Sequence, residues 1–319
     1  MSRSLRSLIA LSATLWLFAC ASVRQDELGG GAAAPSGSAP PAAAAARSAL
    51  PVADATSWGS AELALAAPKL DSLAGTLWLR TSVEYEAVSL QAYAAARSAL
   101  DQALADPSWT AALEQASDPE RARKPPAIIL DVDETVLDNS AYQVRLIRDG
   151  RRYDWDSWHA WCREARATPI PGALAFTQYA ASRGVTVFYV TNRQALVTEG
   201  TIENLRREGF PLANGKQVVL TRGLKEEWGS DKGTRRAEIA RGYRILLLVG
   251  DDLGDFLSNA RVSVPERRAA AEAHRERWGR QWIVLPNPVY GSWWDSLFGF
   301  DFALGEEQKL ERRMEALGE

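Results

Sequence analysis

Histidine and cysteine are almost missing from this chain. Of its 319 residues two are histidines, His159 and His274, and two are cysteines, Cys20 and Cys162. There is no HExxH, so the usual ligands of a zinc hydrolase are absent. There is no GxSxG and no GxxxxGK[ST], which removes the common serine-hydrolase and P-loop readings. A large excess of one charge is also lacking. The formal net charge is -3, and no long basic run interrupts the chain, so a nucleic-acid polymer is not the expected partner. Chemistry in such a chain falls to carboxylates. The hydrophobic fraction of 46% is enough for one large domain or two small ones with a real core.

What is present begins with Ala127-Ile128-Ile129-Leu130-Asp131-Val132-Asp133-Glu134-Thr135. A short apolar run that ends abruptly in acid reads as a buried parallel strand delivering carboxylates to the C-terminal edge of a sheet. Ligands bind at that edge in open α/β sheets. Asp131 and Asp133 stand two apart, so in extended geometry they share a face. Three readings fit this stretch: a nucleophile and a general acid/base for phosphoryl transfer, a calcium loop, or an acidic turn. The calcium loop lacks its glycine, since position six is Val136, and its closing glutamate, since position twelve is Tyr142.

The N-terminus carries Arg3 and Arg6, then an apolar run from Leu8 to Ala19 too short to span a bilayer comfortably, then Leu17-Phe18-Ala19-Cys20. Residues 1–19 are expected to be a signal peptide and Cys20 a lipidated N-terminus, although Phe18 is bulky for such a cleavage site. Ala21 after it favours, by resemblance to bacterial lipoproteins, the outer membrane; a periplasmic or secreted protein is the alternative. Residues 20–59, rich in Ala, Pro, Gly and Ser, read as a flexible tether. Residues 60–122 are an N-terminal helical segment, expected as two helices broken near Ala67-Pro68. Residues 123–295 form the core and 296–319 a C-terminal helical segment. With Cys20 lipidated, Cys162 is left without a partner, on what reads as a packed helical face.

Within 123–295, strands are expected over Val185–Val190, Val218–Thr221 and Ile245–Val249, with a closing segment Ile283–Gly291. Helices are expected from Asn139, Leu174, Ala195 and Thr234. Tyr153, Trp155, Trp158 and Trp161 crowd one short stretch, where a stacking surface and ordinary core packing are equal readings. Thr191 follows a strand and fits either a phosphate contact or a helix cap; Lys232 alone reads as a surface charge. A second strand ends in carboxylates at Gly250-Asp251-Asp252-Leu253-Gly254-Asp255. Two neighbouring strands ending this way are costly without a cation, which argues for a bound metal with oxygen ligands, magnesium by preference.

Four separated motifs occur in one order: Asp131-Val132-Asp133-Glu134-Thr135, Thr191-Asn192-Arg193, Asp231-Lys232 and Gly250 to Phe256. In this the chain resembles the haloacid-dehalogenase phosphatases, and more closely the bacterial class C, four-aspartate acid phosphatases and 5′-nucleotidases. The resemblance spans roughly residues 70 to 295 by these motifs. It implies a doubly wound, mainly parallel α/β sheet with a smaller helical domain from the flanking segments. It also implies a Mg2+-dependent phosphomonoesterase acting on nucleoside 5′-monophosphates and aryl phosphates. Asp131 would be the nucleophile and Asp133 the acid/base. Thr191, Asn192 and Lys232 would bind phosphate. Asp131, Asp133 through its backbone carbonyl, Asp251 and Asp255 would serve the metal. Trp158 and Tyr290 would stack on the substrate, and the family suggests a homodimer. Asp252 stands where related sequences often carry Asn, a charge expected to weaken polyanionic substrates. A non-catalytic binding or storage protein, or a phosphotransferase to another alcohol, are the alternatives. Because the acid must carry a proton, an acidic to mildly acidic optimum is expected.

Overall fold

Five short, largely apolar runs make the main sheet. They are β1 (Pro126–Leu130), β4 (Thr186–Gln194), β5 (Val219–Arg222), β6 (Arg244–Gly250) and β7 (Trp282–Val284). A computed structural model of the chain describes residues 71–318. The signal peptide, Cys20, the tether and the Ala67-Pro68 break all lie outside the described residues.

The sheet order is β5-β4-β1-β6-β7, and every pair is parallel. The chain winds outward from β1 through β4 to β5, then returns to the other side of β1 with β6 and β7. The direction of winding therefore reverses between β1 and β6. Such a switch point leaves a crevice at the C-terminal strand ends, because the crossovers on its two sides diverge. Every residue of β6 is buried, and in β1 only Pro126 is partly open, as a strand covered on both faces requires.

Helices flank the sheet. They are α1 (Leu73–Thr81), α2 (Val83–Ala105), α3 (Ser140–Arg148), α4 (Trp155–Glu164), α5 (Ala173–Ser182), α6 (Thr198–Arg207), α7 (Gly233–Gly242), α8 (Val264–Ala273), α9 (Ser292–Asp295) and α10 (Glu306–Leu317). The break between the first two falls at Ser82, which turns to an extended conformation and caps α2 by accepting from the Tyr85 N–H. Tyr93, Ala96, Ala99, Leu100 and Ala103 of α2 lie in the same hydrophobic core as β1 and β6. Small alanines let this helix approach closely, and the Tyr93 hydroxyl donates to the carbonyl of Thr135, 2.5 Å away. At the other end of the chain, Arg313 of α10 pairs with Asp71 at 2.8 Å.

Two features were not legible beforehand. Strand β4 runs on past Val190 to Gln194, pairing Thr191 with Thr221 and Gln194 with Arg222. A short antiparallel pair, β2 (Leu137–Asp138) with β3 (Thr168–Pro169), brackets α3 and α4 as one excursion above the sheet's C-terminal edge.

Helices α4 and α6 touch through Gly200. A Cβ there would stand 2.6 Å from the Cys162 carbonyl oxygen and 3.0 Å from the Arg163 Cα. Both are backbone atoms and cannot swing away. Alanine at a helical glycine ordinarily gains up to about 1 kcal/mol, but overpacking costs about 1–3 kcal/mol. Gly200→Ala is therefore expected to lose about 1–2 kcal/mol net, seen in urea unfolding as a lower midpoint at unchanged slope. An unchanged or higher midpoint would show that the two helices separate freely.

Candidate active site

Three carboxylates converge at the switch point. Asp131 follows β1, Asp251 follows β6, and Asp255 ends a short 3-10 turn after Asp251. Each offers an oxygen, and these atoms lie within 4.8 Å of one another. Asp255 reaches this place by folding back over the end of β6. Residue 250 must then be glycine, because a Cβ there would collide with the Asp255 carboxylate.

One ammonium group stands among them. Lys232, which caps α7, donates to Asp131 Oδ1 and, at 2.6 Å, to Asp255 Oδ1. All three side chains are buried. Burial disfavours the lysine's charge, yet Asp131 and Asp255 overcome this and hold its pKa above the ordinary value. Burial pushes Asp131 up to about 7; Asp255 and Asp133 add to the rise, and Lys232 opposes it. Asp251 is raised well above the ordinary range by burial and then by Asp131 and Asp255. Its orientation is fixed by Thr135, which donates to Oδ1 at 3.1 Å, and by Asn287, which donates to Oδ2 at 2.8 Å.

Asp133 faces elsewhere. Arg193 donates two hydrogen bonds to its Oδ1, at 2.9 and 2.8 Å, and Asn139 a third at 2.9 Å. Asn139 is held in turn by the Trp161 indole, 2.8 Å from its Oδ1. The Arg193 guanidinium also lies over the Trp158 ring, 5.5 Å from its centroid. The second oxygen of Asp133 lies 3.4 Å from the Thr191 hydroxyl.

Other expected site residues divide between presence and engagement. Thr191 is fully buried, and its hydroxyl also accepts from the Arg193 N–H. Asn192 lines the cavity, but its amide is engaged within the protein: it accepts from Arg235 and donates to the Ser230 carbonyl. Trp158 lines the cavity at only 7% exposure, packed on Tyr142 at 5.1 Å between ring centroids. The open rings on that wall are Tyr153, 50% exposed, and Trp155, 43% exposed. Tyr290 also lines the cavity and donates its hydroxyl to Glu134. Asp252 is not a loose charge. It accepts from Gly254 N–H at 2.8 Å, Ser292 N–H at 2.6 Å and the Ser292 hydroxyl at 2.7 Å, and so ties two loops together. Cys162 is buried on α4, and burial pushes its thiol up to about 12, the inert packed residue expected of that helix.

Sequence reasoning passed over Glu134, Asn139, Arg193, Arg235 and Asn287 as individual residues. Arg235 is fully buried with no carboxylate hydrogen-bonded to it. It donates to the carbonyls of Thr191 and Gly229 and to Asn192 Oδ1, joining the end of β4 to the loop that carries Lys232. Glu134 and Arg193 carried a signal, their places in two of the recognised motifs; the roles of the others depend on the contacts that packing supplies.

The chain was compared with known proteins. A family model described as HAD superfamily, subfamily IIIB (acid phosphatase), matches residues 53–293. The chain belongs to this acid phosphatase family. The class C acid phosphatase from Bacillus anthracis is similar in structure, with 33% identity over 78% of this chain and 97% of its own, at a TM-score of 0.68. The same protein with tungstate bound gives 32% identity over the same shares, at 0.67. The acid phosphatase reading of the motifs thus stands, and with it the parallel α/β fold and phosphomonoesterase activity. The family generally uses a divalent metal, and the residues fit one. Among the described residues this triad of buried and half-buried carboxylates faces a single lysine, an excess of negative charge that suits a hard cation with oxygen ligands.

The raised acids give a pH prediction for the metal-free phosphatase. Between 3.8 and about 7 the folded Asp131 holds more protons than the unfolded one. Stability from this group is therefore undiminished below 3.8 and is lost as pH rises toward 7. A divalent cation favours the ionised carboxylates, so its stabilising effect should grow across the same window. Thermal unfolding with and without magnesium, followed across that range, tests this. A cation-induced gain in Tm that does not change with pH would contradict it.

Proposed function

We propose that this acid phosphatase is Mg2+-dependent and hydrolyses phosphomonoesters by way of a phosphorylated Asp131. The observation that carries this reading is the pairing of Lys232 with both Asp131 and Asp255, beside a separate, differently held Asp133. Two carboxylates two residues apart sit in different environments, which is what a nucleophile and an acid/base require.

Asp131 would attack phosphorus and form an acyl phosphate, while Asp133 gives a proton to the leaving oxygen. Asp133 would then take a proton from water, the water oxygen would attack phosphorus, and Asp131 would be released with inorganic phosphate. Lys232 would bind a phosphoryl oxygen, with the Thr191 hydroxyl beside it. Asn192, its amide already engaged, would serve by holding the loop that carries Lys232. Asp131, the Asp133 carbonyl and Asp251 would hold magnesium, with Asp255 in support. When bound, the ion supplies positive charge to the carboxylates and to the phosphoryl group, which is most of what phosphoryl transfer asks of a protein. The Bacillus anthracis relative was solved with tungstate bound, which supports an oxyanion site in this fold.

For substrates we favour nucleoside 5′-monophosphates and aryl phosphates. The cavity measures about 910 Å³, much more than a phosphoryl group needs, and Tyr153, Trp155 and Tyr290 line it. We also infer a lipid anchor on Cys20 and an outer-membrane location from Leu17-Phe18-Ala19-Cys20; radiolabelled palmitate incorporation that disappears in Cys20→Ser would support it, and none in the parent chain would refute it.

Phosphate release from AMP and p-nitrophenyl phosphate, with magnesium and with EDTA, tests the central reading. Activity should require the metal and fall by roughly 10⁴ or more in Asp131→Asn; full activity of that variant would sink the covalent route. Asn139→Ala addresses the acid. Its loss should be larger for a poor alkyl leaving group, which needs the proton, than for p-nitrophenolate, which does not. Equal losses on both would leave Asn139 a merely structural residue.

A further inference from the structure

The sheet brings charges of both signs to the cavity from different strands. The carboxylates of the candidate metal site follow β1 and β6, whereas Arg222 closes β5 at an edge of the sheet. Arg222 is half-buried on the cavity wall. Among the described residues no carboxylate lies within ion-pair distance of it, and no hydrogen bond or ring contact engages its side chain.

That condition is unusual for its surroundings. Arg193 is taken up by Asp133, Arg151 by Asp154 at 2.9 Å, and Lys232 by Asp131 and Asp255. Arg261 lies over the Phe300 and Phe302 rings, 4.9 and 5.6 Å from their centroids, whereas Arg222 is left with neither a carboxylate nor a ring over it, only the nearby Tyr153, whose hydroxyl feels its field. A guanidinium half out of water has lost part of its hydration, and a partner is expected to replace it. Tyr153 and Trp155 stand together on the same cavity, their ring centroids 5.5 Å apart, so an organic body lying along this wall would have an apolar surface beside it.

We propose that Arg222 forms a second anion subsite and that the enzyme prefers phosphomonoesters carrying another anionic group, of which a nucleoside bisphosphate is the type. This rests on the phosphatase reading above and deepens it. Strand spacing sets the geometry: β5 lies two spacings, about 10 Å, from β1, where the transferred phosphoryl would sit. Asp252, which would repel such a substrate, follows β6 and is about 14 Å from the β5 edge on the same count. That exceeds the screening length of about 8 Å at physiological salt, and Asp252 is already engaged by Ser292 and Gly254. The expectation that Asp252 weakens polyanionic substrates therefore does not extend to one whose second charge points toward β5.

The test uses the full chain with magnesium, and compares AMP with adenosine 3′,5′-bisphosphate, with p-nitrophenyl phosphate as the reference. The parent enzyme should show a lower KM for the bisphosphate than for AMP. Arg222→Gln should raise the bisphosphate KM roughly tenfold, the scale of one charge-assisted hydrogen bond, while AMP and p-nitrophenyl phosphate are little changed. Arg222→Lys, which keeps the charge, should retain part of the preference, and added salt should erode it. No bisphosphate preference in the parent, or equal changes for all three substrates in Arg222→Gln, would overturn the subsite. Failure of the underlying reading looks different: the parent would then not turn over p-nitrophenyl phosphate at all.

Discussion

The Lys232 ammonium between Asp131 and Asp255 is the interaction on which the rest of the site depends. Three crowded carboxylates, largely withdrawn from water, cannot share a small space without compensation, because desolvation and mutual repulsion both penalise their ionised forms. One lysine offsets part of that cost. Much of the surrounding structure serves to keep it there: Asp231 accepts from the Gly233 and Asn259 N–H groups, and Arg235 ties the preceding loop to β4. Removing the lysine would leave unpaired buried charges, which costs more than the pair itself contributes.

Beneath that pair lies the topology. A sheet that reverses its winding between β1 and β6 delivers two acid-tipped strands to one crevice. The acids are then held from outside the sheet. Tyr93 of α2 fixes the turn after β1 through the Thr135 carbonyl, Asn287 orients Asp251, and Arg236 donates to the carbonyls of Gly254 and Asp255. A site built this way is rigid at its floor. Its open elements are the rings and charges along the rim.

Glu134 shows what the arrangement demands of the chain. Its φ of 52° lies in the left-handed region, which costs a residue with a side chain about 1–3 kcal/mol. Its carboxyl is buried, and burial, then Asp133, push its pKa well up. The Asn139 N–H and the Tyr290 hydroxyl hold it. This tight turn brings the chain back so that Leu137 lies beside Asp133, with Glu134 N–H donating to the Leu137 carbonyl.

The five sheet strands, though not the full length of β4, the two acid-tipped ends and the family could be read from local patterns alone, because apolar runs that stop in aspartate are local and the four motifs keep their order along the chain. Asp131, Asp133, Lys232, Asp251 and Asp255 could all be named that way. What only the tertiary structure decided is who faces whom. It separated Asp133, held by Arg193 and Asn139, from the carboxylates around Lys232. It sank Trp158 and left Tyr153 and Trp155 open, engaged Asp252 in a loop contact, and left Arg222 on the cavity wall without a carboxylate among the described residues. These outcomes depend on groups as far as 101 residues apart meeting at one sheet edge. No local pattern encodes that, because hydrogen bonding and burial are set by the neighbours that packing supplies.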